Sequence, residues 1–244
     1  MSPQGTLELV GRLATASNAT FLARDQAEGL WVYKPVAGEA PLWDFAAGTL
    51  SRREVAAFEL SRDLGFDVVP LTVWCDGPLG PGSAQQWIEG EVSDLVDLIP
   101  PDGVDENWLP VVVGVDQQGD PLVVVHRDDP QLRAICLFDL LINNSDRKGG
   151  HLITREGRVY AVDHGVSLHV EFKVRTVLWG FAGEEFTSAE REQIRAAAEL
   201  PAVVLTGIET AEVASLRARA AALLEQRRFP EPTGDWPAIP WPPF

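Results

Sequence analysis

Two aspartates carry the first chemical signal in this sequence. Asp146 closes the stretch Leu141-Ile-Asn-Asn-Ser-Asp146 and is followed by Arg147. Asp163 closes a second apolar run, Val159-Tyr-Ala-Val-Asp163, and is followed by His164-Gly165. Between them, Leu152-Ile-Thr and Arg158-Val-Tyr-Ala-Val flank Arg155-Glu-Gly157, a hairpin pattern that lets the two acids meet in space. A carboxylate at the end of a buried element needs a cation or donors. One such group can orient or deprotonate a hydroxyl, while the other holds a divalent ion on a nucleotide's phosphates. The pair suits phosphoryl transfer better than a pair of loop caps.

That chemistry also needs a cation for the α/β-phosphates and a group to position it. Lys34 follows the apolar run Leu30-Trp-Val-Tyr and precedes Pro35, a strand end. Glu54 lies in Ser51-Arg-Arg-Glu-Val-Ala-Ala-Phe, where Ala57, Phe58 and Leu64 mark one apolar helix face and Gly65 suits the C-terminal cap. A strand lysine followed by a helix glutamate is an ion-pair layout.

With these pieces in order, the chain resembles atypical kinases of the phosphatidylinositol 3-/4-kinase superfamily. It is similar in pattern to type II phosphatidylinositol 4-kinases and HipA-type kinases, in an actinobacterial branch. The resembling segments are Trp31-Val-Tyr-Lys34-Pro35, Arg53-Glu54-Val-Ala-Ala-Phe, Val68-Val-Pro70-Leu-Thr, Asn144-Ser-Asp146-Arg147 and Ala161-Val-Asp163-His-Gly165. The resemblance implies an α+β, two-lobed, protein-kinase-like fold with a strand-rich N-lobe and a mostly helical C-lobe. It implies ATP with Mg²⁺ or Mn²⁺ between the lobes, and transfer of the γ-phosphoryl group to a hydroxyl of a protein or of a small, inositol-like polyol. Asp146 and Arg147 form the implied catalytic pair, with Arg147 bracing the loop through a carboxylate rather than touching substrate. Lys34 and Glu54 serve the nucleotide, and Asp163 the metal.

One departure stands out. The family pattern Asp-Arg-x-x-x-Asn puts a metal-holding asparagine at position 151, where this chain has His151. A neutral imidazole can ligate a divalent ion, and Mn²⁺ accepts nitrogen more readily than Mg²⁺. Such a role predicts a preference for Mn²⁺ and a loss of activity below about pH 6. Otherwise Asn143 or Asn144 supplies the oxygen. Asn144 is a metal candidate and also a loop-organising one. The departure keeps a nucleotide-binding pseudokinase open as an alternative, and transfer of AMP on the same fold is another.

The surrounding elements follow from pattern. Residues 1–90 read as the N-lobe, 91–228 as the C-lobe and 229–244 as a Pro/Trp-rich arm. Leu7-Glu-Leu-Val and Thr20-Phe-Leu-Ala flank Gly11–Ala19, where a phosphate-covering loop belongs. This loop is poor in glycine, so Ser17, Asn18 and backbone N–H groups would contact phosphate, although a plain hairpin turn fits as well. Residues 37–45 read as a loop that could cover the nucleotide. Val68–Trp74 and Ser83–Gly90 are β-rich runs about the turn Asp76–Gly82. Backbone groups at Trp87 and Ile88 would pair with adenine, and a polar, helix-like segment follows Gly90. The rival reading puts Trp87 in the core.

Leu109–Val115 and Pro121–His126 suggest a hairpin. Asp129-Pro130 opens a helix as N-cap and first turn. Thr187-Ser-Ala-Glu190 is a capping box opening a helix to about Leu200, and a further helix spans about Ala211 to about Arg228. The proline-rich tail cannot be helical. Its Trp236, Trp241 and Phe244 suggest an extended arm docked in an apolar groove. Lys173 and Arg175 could meet an anionic acceptor or simply face solvent.

Composition narrows the partners. The chain has 244 residues and a net charge of −16. An excess of acids opposes binding to the phosphate backbone of nucleic acids or to anionic membrane surfaces. No run reaches the ~18 apolar residues of a membrane helix, and Met1-Ser-Pro-Gln-Gly lacks the features of a signal peptide. These features lead us to expect a cytoplasmic protein without stable membrane association. The two cysteines, Cys75 and Cys136, sit beside apolar residues, as buried thiols rather than a disulfide.

Overall fold

The computed structural model describes residues 2–13, 18–201, 207–234 and 237–244. The N-terminal lobe is an antiparallel sheet of β1 (Glu8–Arg12), β2 (Phe21–Arg24), β3 (Leu30–Pro35), β4 (Thr72–Gly77) and β5 (Gly80–Gln86), in the order β1-β2-β3-β5-β4. Alternation along β3 gives it two faces. Trp31 and Tyr33 are buried with Leu7, Ala23 and Ala84 in a small core. Val32 and Lys34, on the other face, line a cleft. The turn expected at Asp76–Gly82 is tighter: Gly77 pairs with Gly80, leaving a two-residue hairpin loop.

Helix α1 (Leu50–Asp63) is inserted between β3 and β4 and ends at Gly65, whose φ of +71° fits glycine. Its Ala56, Ala57 and Leu60 belong to the same buried cluster as Leu132, Ile135 and Phe138. The helix is early in sequence yet packs into the larger core. Residues 68–71 are not strand as expected. Ser61 Oγ accepts from the N–H groups of Val68 and Val69, and the Val68 carbonyl accepts from Ala161 N–H.

The C-terminal lobe carries more β-structure than expected. Strand β6 (Glu91–Val92) replaces the helix-like segment and joins a sheet of order β11-β10-β6 with β10 (Leu152–Arg155) and β11 (Arg158–Ala161). Strands β7 (Val96–Ile99), β8 (Trp108–Val115) and β9 (Pro121–Arg127) form a second sheet, β7-β9-β8. The lobe nonetheless holds more helix than strand, as expected. β6 and β7 are too short for a period-2 pattern to stand out.

The helices follow their sequence signals. Asp129 accepts from the N–H groups of Gln131 and Leu132 and opens α2 (Pro130–Ile142). The Thr187/Glu190 capping box opens α3 (Ser188–Ala198), and α4 spans Thr210–Gln226. Helix α2 runs through the larger core and ends at Asn143, φ +57°. The result is a two-lobed α+β fold with a sheet-built upper lobe. Among the described residues, no helix is long and apolar enough to cross a membrane. Both cysteines are free, Cys136 buried and Cys75 half-buried.

Candidate active site

A cleft of about 700 Å³ lies between the sheet and the α2–β11 region. That volume is in the range of small-molecule sites. Its walls include Lys34, Glu54, Asp146, His151, Asp163 and Arg175. A neighbouring hollow of about 320 Å³ is lined by residues of the 36–50 segment, and Glu39 is the titratable group among them.

Lys34 Nζ bonds to Glu54 Oε1 and donates to Asp163 Oδ1 at 2.7 Å. Helix α1 delivers Glu54 to this point, and the other Glu54 oxygen accepts from the His164 N–H at 3.0 Å. Glu39 fixes the start of that helix by accepting from the Leu50 and Ser51 N–H groups. A carboxylate there also complements the helix dipole. Burial opposes charge on Lys34, but Asp163 and Glu54 outweigh it and hold its pKa above the ordinary 10.5. Lys34 is the main force holding Asp163 well below the usual carboxylate range, against partial desolvation and with help from His151. Asp163 stands on the cleft floor with its side chain 50% exposed. Its φ of +62° is uncommon for a non-glycine residue, the kind of backbone strain that gathers at functional sites.

Asp146 faces the same cleft from the loop after α2. Its N–H donates to Asn144 Oδ1 at 3.1 Å, and Lys148 Nζ lies 3.6 Å from its carboxylate. Burial pushes its pKa up, Lys148 opposes this, and the neighbouring Asp163 adds to the rise. A carboxylate tuned upward is a better proton acceptor than an ordinary one.

Arg147 turns the other way. Its side chain is 0% exposed and pairs with both oxygens of Asp139, from Nε at 2.9 Å and Nη2 at 3.0 Å. Its Nη1 donates to the Val162 carbonyl at 2.7 Å, and Nη2 lies 2.7 Å from His164 Nε2. A guanidinium sealed in this way touches no substrate. It is the brace through a carboxylate that the sequence leads us to expect, tying the Asp146 loop to the Asp163 strand end and absent from the cleft wall.

The asparagines are spent within the fold. Asn144 Nδ2 donates to Asp139 and its Oδ1 serves Asp146, so it is absent from the cleft wall and is corrected from metal candidate to loop organiser. Asn143 donates to the His169 and Glu171 carbonyls and accepts from Lys173 N–H.

His151 does face the cleft. Its Nε2 is 3.4 Å from Asp163 Oδ2, and its buried Nδ1 has no partner. Burial is the chief cause that brings its pKa to about 4, with Asp163 opposing. The ring is therefore neutral at pH 6, and the loss of activity expected near that pH does not follow from its titration. Among the described residues, no group of three or more His, Cys, Asp or Glu is arranged to hold a metal.

Ser17 lies outside the described residues. Asn18 lines the cleft with its Oδ1 accepting from Ala40 N–H, which ties the 18–20 turn to the 37–45 loop. Trp87 and Ile88 line the cleft, half-buried, so Trp87 is not in the core. The Trp87 N–H already donates to the Leu30 carbonyl at 2.9 Å and is not available to a ligand. Gly90, where the lobes meet, passes close to β10: a Cβ there would stand 2.5 Å from the Thr154 carbonyl oxygen.

Sequence reading missed Asp139, Asp44 and the exposed Trp43. Asp139 was detectable as an acid inside the apolar run Leu137-Phe-Asp-Leu-Leu, which demands a buried cation. Asp44 pairs with Lys173 Nζ at 2.8 Å, and that ammonium also lies 4.6 Å from the Trp43 ring centroid. These contacts pin the 37–45 loop over the cleft edge. Arg175 Nε donates to the Ser145 carbonyl at 2.6 Å.

No family model matches the chain. Among solved structures, the Golgi casein kinase is 16% identical, with 92% of this chain and 72% of that chain covered and a TM-score of 0.46. The same kinase with Mn/ADP bound gives a TM-score of 0.47 at the same identity and coverage. The Helicobacter pylori proinflammatory kinase CtkA is 9% identical, with 93% and 95% covered and a TM-score of 0.48. The likeness to the Mycobacterium tuberculosis protein Rv2133c is of another order: 45% identity over 260 residues, spanning 98% of this chain and 93% of that protein. At that identity and coverage the chain belongs to the same family as Rv2133c.

Proposed function

We propose that this protein is an atypical kinase that binds ATP with a divalent ion in the cleft and transfers the γ-phosphoryl group to a hydroxyl. The observation that carries the reading is the junction of Lys34 with both Glu54 and Asp163, across the whole interval between the lobes, with Asp146 on the same cleft wall. Three elements distant in sequence converge on one cation, and the fourth group is an acid with a raised pKa. That is the constellation phosphoryl transfer calls for.

The residues suit the group they would hold. Mg²⁺ is commonly bound by one or two carboxylates, with substrate phosphates and water completing the shell. Asp163, half open to the cleft, supplies such a carboxylate, and His151, whose Nε2 lies beside it, supplies a nitrogen suited to Mn²⁺. The protein's own ligand set is incomplete, so the ion would enter with the nucleotide. Bound ATP would bring the phosphoryl group, and its ion would neutralise the charge on the phosphate oxygens.

The chain's own groups do the rest. Lys34, held extended by Glu54, presents its ammonium to the phosphates, and ATP binding would take over part of its present pairing with Asp163. Asp146, oriented through its N–H bond to Asn144, receives the acceptor's proton. The 37–45 loop, pinned by Asp44–Lys173, limits water at the cleft edge. The acceptor is a protein side chain or a small polyol. The net charge of −16 argues against nucleic acid or stable association with anionic membranes, and the setting we propose is cytoplasmic. The test is incubation with γ-labelled ATP, with and without a cytosolic metabolite extract, followed by separation of protein from small molecules. Label in either fraction, lost with Asp146→Asn, supports the reading. Label in neither fraction, with no nucleotide bound, removes it.

A further inference from the structure

The loop between Asp146 and His151 has two unlike halves. Residues 144–147 are held by backbone bonds: Arg175 N–H to the Asn144 carbonyl, Ser145 N–H to the Val166 carbonyl, and Arg147 N–H to the Arg175 carbonyl. The next residues, Lys148-Gly149-Gly150, include two successive glycines, the most conformationally free residues available. They must nevertheless start the short 3-10 turn Gly149–His151, which sets Lys148 beside Asp146 and His151 beside Asp163.

The C-terminal arm meets this half. The Pro243 carbonyl accepts from the Gly149 N–H at 2.9 Å, satisfying a donor that the turn leaves without an internal partner. The Phe244 ring lies against Gly149, where a Cβ would stand 2.3 Å from the ring edge. Upstream, the Ala238 carbonyl accepts from Thr176 N–H at 3.1 Å and from Trp179 Nε1 at 2.6 Å. Ala238 and Ile239 pack on the larger core, and Pro240 and Pro243 are buried. The arm is thus anchored on the core and ends on the glycines.

We propose that Pro243 and Phe244 are positioning residues for the catalytic loop, capping the Gly149 turn so that Lys148 and His151 stay set against Asp146 and Asp163. The catalytic part of this inference rests on the phosphotransferase reading, whereas the positioning part does not. Ordering a two-glycine segment in advance spares the site that entropy when substrate binds. A side chain at 149 would displace the Phe244 ring.

The test compares the full chain, a chain ending at Ile239, Gly149→Ala, and the two changes combined. Amide hydrogen exchange is followed without nucleotide, and kcat and KM for ATP are measured. In the shortened chain, the Gly149–His151 amides should exchange about 10-fold faster or more, while α2 and β11 keep their protection. Its kcat should fall about 10- to 100-fold with KM for ATP within about twofold, as for a misplaced reacting group. Gly149→Ala should reproduce these changes and add little to the shortened chain, because both break one contact. If the shortened chain fails to fold, Gly149→Ala and Phe244→Ala in the full chain carry the same comparison. Unchanged exchange at 149–151 would overturn the proposal, as would protection lost throughout the C-lobe or a kcat that holds or rises. A wild-type chain that turns over no ATP would remove the phosphotransferase reading, and the exchange comparison would still decide the arm's role.

Discussion

Two ion networks lie close together in this molecule and differ in one respect. Asp139, Arg147 and His164 are each 0% exposed, and every partner is another part of the chain. Lys34, Glu54 and Asp163 use the same kinds of group, yet Asp163 opens to a cleft large enough for a ligand. The sealed network can only fix geometry, because no part of it is open to a ligand. The open one holds charge where something else can take it over. Residue type alone does not separate scaffold from site, but access does. Substitutions in the two networks should therefore fail in different ways.

The largest effect should come from the sealed network. Arg147→Met leaves Asp139 buried without its cation, and breaking a buried pair costs about 3–5 kcal/mol. Urea unfolding should show that loss, and Arg147→Lys should recover little because one ammonium cannot span the forked contacts. Wild-type-like stability in Arg147→Met would mean that the network is not a brace.

The open network should fail in function with the fold intact. Asp146→Asn should reduce phosphoryl transfer on the order of 10²-fold or more while ATP binding survives, measured by turnover beside calorimetry. Near-normal turnover would move the base elsewhere.

A third effect depends on pH. Burial holds the pKa values of His126 and His164 below the ordinary 6.5. The unfolded chain takes up protons below pH 6.5 that these folded rings refuse, so stability should fall as pH drops from there. The slope is about 1.4 kcal/mol per pH unit for each histidine that stays neutral. Unfolding midpoints measured from pH 7 down to pH 5 check it, and a flat profile would contradict the buried, neutral state.

The smallest effect should be His151→Asn, which exchanges a nitrogen ligand for an oxygen. Activity should persist with its metal preference moved from Mn²⁺ towards Mg²⁺. An unchanged preference would make His151 a packing residue.

Much of this arrangement was legible in the sequence, because the candidate site sits where patterns end. Lys34, Asp146 and Asp163 each close a buried run, and Glu54 lies on a helix with a clear apolar face. The Asp129 cap and the Thr187 box were visible for the same local reason. What stayed hidden depends on partners far along the chain. Asp139 reads as an oddity in an apolar helix until Arg147 folds back on it. β6 and β7 are too short to show a period, and the pairing of β6 is decided by β10, some sixty residues on. The inward turn of Arg147 was expected, but its distance from the cleft could not be read from a motif that sets it beside Asp146.

The central claim is that Asp163 holds a nucleotide-bound ion in the cleft, and calorimetry on Asp163→Ala tests it most directly. Titration with ATP and Mg²⁺, then with Mn²⁺, should show binding to the wild-type chain and its loss or strong weakening in a variant whose unfolding midpoint is preserved. ATP bound equally well by folded Asp163→Ala, with the same dependence on the metal, would contradict the account.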